Sequence, residues 1–336
     1  MAKRELIITN SNDIHADLVM EKLRNKNRNP FRINMDLFPK DYGVALKFTA
    51  GKWQGHITLK STQERLDFQN VGVVWMRKKA DFNYADDTLE KREKEYLDEE
   101  LEHILFSLLY SLECSWMSHP KHVRGAIWKG EQQSRAAAMG FAVPPSLISN
   151  NPEDVRKFCK SFETGAVFKS LSSPVVTLEN DKGETSGQFL PTTLITDAHE
   201  DLIESVELSP CFFQQYIPKA YELRVTVILD QVFAAKIHSQ DDERTKIDSR
   251  DMSAEILYEA ENLPAEISDL CRRYVQSYGL TYGALDLIVT PAGEYVFLEN
   301  NPVGQFLYVE QLVPKLDMSG AVVDSLIKLA ETPGEA

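Results

Sequence analysis

Asp286-Leu287-Ile288-Val289-Thr290-Pro291-Ala292-Gly293-Glu294-Tyr295-Val296-Phe297-Leu298-Glu299-Asn300-Asn301 reads as two apolar strands around a four-residue turn. Thr290–Gly293 carries a proline and a glycine, the residues that punctuate such turns. If Val289 opposes Glu294, Asp286 falls opposite Phe297, and strand alternation sends Asp286, Phe297, Glu299 and Asn301 to one side. Asp286 and Glu299 are then diagonal neighbours, roughly 7–8 Å apart at Cα. Two carboxylates and an amide are costly to bury without a counter-ion. A hard divalent ion such as Mg²⁺, which takes oxygen ligands, offsets that cost. The competing reading is a solvated face. Against it, Leu285, Ile288, Val289, Tyr295, Val296, Phe297 and Leu298 make the strands apolar enough for burial on both faces.

The rest of the chain sets the frame for that hairpin. Its 336 residues exceed what one core usually carries, so two or three domains are expected. Hydrophobic residues at 43% and charged residues at 26% describe a folded globular chain and exclude disorder of the whole. Lys+Arg 37 against Asp+Glu 51 gives a formal charge of −14, which argues against a nucleic-acid partner. A polyphosphate is not excluded, provided lysines and a cation gather locally. No apolar run approaches the roughly 20 residues of a membrane span. The run Ile104–Leu112 is broken by Ser107, Tyr110 and Ser111. Met1–Glu5 enters a short strand at once, with no secretory h-region. Cys114, Cys159, Cys211 and Cys271 are scattered, as expected of reduced thiols in a cytoplasmic protein.

Strand and helix signals alternate near the start. Leu6–Thr9, Asp13–Lys26 and Phe31–Met35 form a βαβ pattern and favour an α/β first domain. Its first turn, Asn10-Ser11-Asn12-Asp13, lacks the G-x-G-x-x-G fingerprint of a dinucleotide site. Val44–Phe48 and His56–Leu59 read as a hairpin, and Val71–Met76 as a buried strand delivering Arg77, Lys78 and Lys79. A long helix follows, with Asp87 as cap and Glu90 completing a capping box. The next segment holds a helix closed by Gly140, a helix started by Asn151-Pro152, and the strand Ala166–Lys169. Val175–Glu179 and Gln188–Ile195 then flank the turn Asn180-Asp181-Lys182-Gly183, and a helix over Ala198–Val206 leads to the strand Cys211–Gln215. Beyond them, Glu222–Leu229 and Val232–Ile237 are joined by Asp230-Gln231, and helices cover Ala265–Tyr278 and Ser319–Ala330.

Lys169 leaves a buried strand beside Ser170-Leu171-Ser172-Ser173, where it can hold a phosphate as a point charge with help from loop amides. Read singly, Lys129 and Lys169 are equally well explained as lysines snorkelling from a surface. Phe213-Gln214-Gln215-Tyr216-Ile217 crosses a junction between segments, a place small-molecule sites favour, and its backbone edge suits an adenine.

In order and spacing, the chain resembles the ATP-grasp carboxylate–amine/hydroxyl ligases over almost its full length. The matching pieces are Lys129-Gly130-Glu131-Gln132-Gln133, Val143-Pro144-Pro145, Val167-Phe168-Lys169, Phe213 to Ile217, Glu222-Leu223-Arg224-Val225, Asp286 and Leu298 to Pro302. Within that family it is most similar to the microviridin-type graspetide synthetases, which cross-link ribosomal precursor peptides. Val74 to Lys78, Trp116 to Pro120, Lys236 to Gln240 and Asn301 to Phe306 carry that finer likeness. Asp248-Ser249-Arg250 departs from the Asp-Trp-Arg run of such relatives, which leaves the substrate subgroup open.

The resemblance implies an α/β (α+β) ATP-grasp fold. It has a Rossmann-like pre-ATP-grasp domain over 1–118, a central lid subdomain over 119–213 and an antiparallel-sheet subdomain over 214–336. It implies that Lys129 and Lys169 hold ATP phosphates and that Gln214, Gln215, Tyr216 and Ile217 line the adenine. Glu222 would sit near the ribose or an associated lysine. Arg224 and Lys236 would neutralise the γ-phosphate and the developing acyl phosphate. Asp286, Glu299 and Asn301 would coordinate one or two Mg²⁺ ions. Arg77, Arg224 and Arg250 are the candidate grips for a substrate carboxylate, since a guanidinium can bind one bidentately. Arg77 is equally readable as part of a surface cluster with Lys78 and Lys79, and His238 as a structural residue. The Val175–Thr193 hairpin is either a docking edge for a leader segment or a plain lid.

The implied partner is a precursor peptide with a leader and an acidic core, and the implied assembly a homodimer. The implied reaction is phosphorylation of Glu or Asp side chains, then attack by Ser/Thr hydroxyls or Lys amines. A ligase of small amino acids or protein tails, and a non-catalytic ATP-binding peptide scaffold, are the alternatives; the two carboxylates and amide at Asp286, Glu299 and Asn301 argue against the scaffold.

Overall fold

The computed structural model describes residues 3–172, 174–179, 185–251 and 253–332. It opens on β1 (Arg4–Thr9), α1 (Ile14–Asn25) and β2 (Phe31–Asn34), then β3 (Tyr42–Thr49), β4 (Lys52–Leu59), β5 (Glu64–Asp67), β6 (Val71–Met76), α2 (Lys91–Tyr110) and β7 (Ser115–Trp116). β1 runs parallel to β2 and β6, giving a four-stranded sheet in the order β2-β1-β6-β7, with β3-β4-β5 as a separate antiparallel sheet. The expected βαβ unit is therefore present. α2 begins later than the sequence suggests. Asp86 holds the Thr88 amide in a local turn, so Glu90 is the cap and Glu93 closes the capping box. Along α2 only one stripe is covered: Leu105, Leu108 and Leu109 are buried while Ile104 and Tyr110 stay exposed.

The middle of the chain contributes α3 (Pro120–Gly125), α4 (Lys129–Met139), β8 (Ser146–Ser149), α5 (Pro152–Lys160), β9 (Ala166–Lys169), β10 (Val175–Glu179), β11 (Thr185–Phe189), β12 (Thr193–Leu194), α6 (Glu200–Ile203) and β13 (Cys211–Gln215). β12-β9-β13-β8 form one antiparallel sheet, and β10-β11 a two-stranded ribbon. The strand expected over Gln188–Ile195 is split between these two sheets, because Pro191 cannot donate a ladder bond. The helix expected over Ala198–Val206 is α6 flanked by 3₁₀ turns. The Asn180–Gly183 turn and Ser173 lie outside the described residues.

The last segment holds β14 (Tyr221–Ile228), β15 (Gln231–Ile237), β16 (Tyr258–Ala260), α7 (Ala265–Gln276), β17 (Tyr282–Val289), β18 (Tyr295–Asn301), α8 (Leu307–Leu312) and α9 (Met318–Glu331). Its sheet is antiparallel, in the order β16-β15-β14-β17-β18. The β14–β15 turn is Leu229-Asp230, one residue earlier than expected; Leu229 takes a φ of 51°, the left-handed backbone a tight hairpin needs. One face of this sheet packs Leu223, Val225, Val227, Leu285, Leu287 and Phe297 against α4 and α7, with Tyr274 fully enclosed. At the other end of the chain, α9 closes on α1 and β6 through Val322, Val323 and Leu326, and Lys22 pairs with Asp317 and Arg28 with Glu331. All four cysteines are free. Among the described residues, no helix is long and apolar enough to cross a membrane.

Candidate active site

β17 lies between β14 and β18, so a residue on β17 has one neighbour on each side. Asp286 uses both. Arg224 is directly opposite it on β14 and Glu299 directly opposite it on β18. The register shifts between Asp286 and Leu287: Leu287 pairs Phe297, and Leu298 is left as an extra residue in a bulge. This corrects the unbroken alternation expected from the sequence. Phe297 turns into the core opposite Leu287, while Asp286, Glu299 and Asn301 share the other face. The two acids are direct cross-strand neighbours rather than diagonal ones, a pairing that brings Cβ atoms to about 4.5–5.5 Å.

Like charges that close need cations. Arg224 Nη1 donates to Asp286 Oδ1 at 2.7 Å, and Asn301 Nδ2 to Asp286 Oδ2 at 3.4 Å. Lys129, the first residue of α4, places its ammonium 3.0 Å from Glu299 Oε2 and donates to the Ser170 carbonyl at 2.6 Å. Lys169, at the end of β9, donates to Gln214 Oε1 at 3.2 Å, and Gln214 Nε2 donates on to Ser146. Glu222 accepts from Lys219 at 2.5 Å and from Ser249 at 2.9 Å. Arg250 pairs with Asp248 at 2.6 Å, lies over the Phe189 ring and carries its charge toward Glu299 and Asp286.

The titration of the two acids splits accordingly. Burial opposes ionisation of Glu299, but the Lys129 and Lys169 charges outweigh it and hold the carboxyl at about 2. Burial pushes the Asp286 carboxyl above its ordinary value and the Glu299 charge adds to the rise, with Arg224 only partly offsetting them. Burial likewise lowers Lys169, against the pull of Glu299. Counting Lys129, Lys169, Lys219, Arg224 and Arg250 against Glu222, Asp248, Asp286 and Glu299 gives five cations and four acids, a slight local positive excess in a chain of formal charge −14. Such a cleft attracts a polyphosphate.

Not every expected residue joins this cluster. Lys236 pairs with Leu223, so it stands on the opposite face of the sheet, 3.3 Å from Glu259 and over the Tyr221 ring. His238 bonds Glu259 at 2.9 Å, as a structural residue does. Arg77 is buried rather than part of a surface cluster: its Nε is 3.4 Å from Asp13, and its guanidinium lies against Trp75 and Phe306. Gln215 donates its N–H to Pro145 O and Tyr216 to Gly165 O, so their carbonyl and side-chain groups are what remain for a ligand; Ile217 follows half-buried on the way to β14. Lys219 and Ser249 were not singled out from the sequence. For the first, a lysine three residues before Glu222 at the entry to a strand is the local signal that could have found it.

Among the described residues, no three His, Cys, Asp or Glu side chains gather as a metal cluster. The set on offer is two carboxylates and an amide on one face. That suits Mg²⁺, which keeps waters and phosphate oxygens in its shell rather than demanding an all-protein cage.

Residues 5–124 match the family model described as the MvdD pre-ATP grasp domain. Among curated proteins no sequence match is found. Among solved structures, the chain is similar to the macrocyclase MdnC of Microcystis aeruginosa MRC, bound with precursor peptide MdnA, at 31% identity and a TM-score of 0.83 over 97% of this chain and 99% of that one. A RiPP-associated ATP-grasp ligase of Chryseobacterium gregarium, in complex with ADP and a leader and core peptide, superposes with a TM-score of 0.87 at 25% identity over 99% of both chains. Macrocyclase MdnB of Microcystis aeruginosa MRC gives 28% identity and 0.77 over 96% and 99%. With a solved relative 31% identical over 97% of the chain and a matching pre-ATP grasp domain model, the chain belongs to the ATP-grasp ligases, and within them to the microviridin-type macrocyclases of ribosomal peptides.

Proposed function

We propose that the protein is an ATP-dependent peptide ligase. It phosphorylates Glu or Asp side chains of a precursor peptide and closes them onto Ser/Thr hydroxyls or Lys amines, releasing ADP and phosphate. The observation that carries this reading is the row Arg224–Asp286–Glu299 across three strands, with Lys129 and Lys169 above it.

A carboxylate resists attack because its leaving group would be oxide, and phosphorylation replaces that oxide with phosphate. The obstacle is repulsion between an incoming carboxylate and a triphosphate. Lys129, at the start of α4, and Lys169, at the end of β9, hold the phosphates, and Gln214 fixes the Lys169 ammonium by accepting from it. Asp286, Glu299 and Asn301 would hold Mg²⁺, which supplies further charge neutralisation at the transferring group. Arg224, already in place beside Asp286, faces the charge that develops as the acyl phosphate forms. Arg250 is the grip for the substrate carboxylate, since Asp248 splints its guanidinium and Asp248 also accepts from the Thr192 N–H beside β12. Arg77 supports the shell rather than gripping substrate, because Asp13, Trp75 and Phe306 occupy its surroundings. Closure of the β10–β11 ribbon over ATP would keep water from the acyl phosphate. The working units are 1–118, 119–213 and 214–336, and the peptide partner carries a leader and an acidic core.

Mass spectrometry of a Glu-rich precursor peptide incubated with the enzyme, ATP and Mg²⁺ tests the reading. The expected result is loss of one water per bond formed, with stoichiometric ADP. An unchanged peptide mass in the presence of bound ATP would refute it.

A further inference from the structure

Gln132 is 2% exposed and makes no contact with the reacting groups described above, yet it is fully engaged. Its Nε2 donates to Ala126 O at 2.6 Å and to Asn300 O at 2.8 Å, and its Oε1 accepts from the Asn300 N–H at 2.9 Å. The glutamine amide thus takes both backbone groups of the residue lying between Glu299 and Asn301.

The reason lies in the sheet. β18 is its edge strand, so the outward N–H and C=O groups of β18 have no neighbouring strand to pair with. Further back, Ala142 meets that need by accepting from Phe297 N–H at 2.8 Å. At Asn300, beyond the Leu298 bulge, only a side chain reaches. An amide is the one neutral group that supplies an acceptor and two donors in a single plane, and glutamine has the length to bring it there. Gln132 also lies one helical turn after Lys129 on α4, and Lys129 holds Glu299. The same helix therefore grips one acid by its side chain and the adjacent residue by its backbone.

We infer that Gln132 is a positioning residue for the Mg²⁺-binding pair Glu299 and Asn301, standing in for the missing strand and fixing their distance from Lys129. The inference rests on the reading of that pair as metal ligands. Partners that orient metal ligands typically set affinity by about 10–100-fold. Gln132→Met leaves one buried N–H and two carbonyls unpaired. Gln132→Glu keeps the acceptor but turns a carboxylate toward two carbonyl oxygens.

The test measures ADP binding by calorimetry on the full chain across a series of MgCl₂ concentrations, with thermal unfolding alongside. In Q132M and Q132E the Mg²⁺ concentration for half-maximal enhancement of ADP binding is expected to rise about 10-fold or more, while ADP affinity without metal is unchanged. The control is Tyr274→Phe, which deletes a bond from Tyr274 Oη to the Gln132 carbonyl at 3.1 Å without touching Asn300. It is expected to lower the unfolding temperature and leave the Mg²⁺ midpoint where it was. If Q132M does not fold, Q132E against Y274F decides. Midpoints equal to wild type in the glutamine variants overturn the inference alone. No Mg²⁺ enhancement in the wild type overturns the metal reading and this inference with it.

Discussion

The two faces of the five-stranded sheet are built from alternate residues of the same strands, yet they obey opposite rules. Toward α4 and α7, Leu223, Val225, Leu285, Leu287 and Phe297 are at most 1% exposed and belong to one apolar cluster. Toward the cleft, Glu222, Arg224, Asp286 and Glu299 are charged, and each has an oppositely charged partner. The first face holds the fold by removing apolar area from water, about 25 cal/mol per Å². The second is costly to hold together, and each of its acids is offset by a cation. Adjacent residues on one strand can therefore be separated by experiment into those that set stability and those that set chemistry.

The sharpest separation is Asp286→Asn. Peptide-dependent phosphate release is expected to fall by about 10³, close to 4 kcal/mol of barrier by analogy with loss of an electrostatic stabiliser, with the unfolding transition retained. Its neighbour gives the converse: Leu285→Ala is expected to cost roughly 2–5 kcal/mol in urea unfolding, with the folded fraction keeping its activity within a few-fold. A variant in which both substitutions acted on stability alike would break the contrast. Lys129→Met should move the Glu299 carboxyl upward from about 2, since a cation that favours its ionised form is gone; carboxyl-carbon NMR follows the titration. Because the folded value lies below the unfolded one, Glu299 contributes stability that is present above the usual carboxylate range and is lost as pH falls toward 2. In Lys129→Met that acid-side loss should shrink. The smallest effect is expected at Lys236→Met, under about 1 kcal/mol in rate or stability, because its partner Glu259 is open to solvent and the pair stands on the far face of the sheet.

The sequence made the charges legible and the packing only partly so. The turn at Thr290–Gly293, the apolar strands and the acids were all readable, because proline, glycine and carboxylates have strong local preferences. The bulge was not, since Leu298 is an ordinary strand residue and nothing local marks it as surplus. It put Phe297 on the wrong side of the reading while leaving Glu299 and Asn301 correctly beside Asp286. Lys236 is the instructive placement. Any two-residue turn between β14 and β15 pairs Arg224 with an odd-numbered residue, so hairpin parity alone puts Lys236 on the opposite face from Arg224. Gln132 escaped notice because its partners are backbone atoms, which a sequence does not display.

Leu298 has one more consequence. As a residue with no partner on β17, it divides β18 into two stretches of different register, one pairing Phe297 with Leu287 and one pairing Glu299 with Asp286. Removing it would restore plain alternation without exchanging an acid for a leucine on either side. What would change is the local twist, and with it the angle at which the Glu299 carboxylate leaves the strand. Length variation at that single residue re-aims a ligand without repainting either surface.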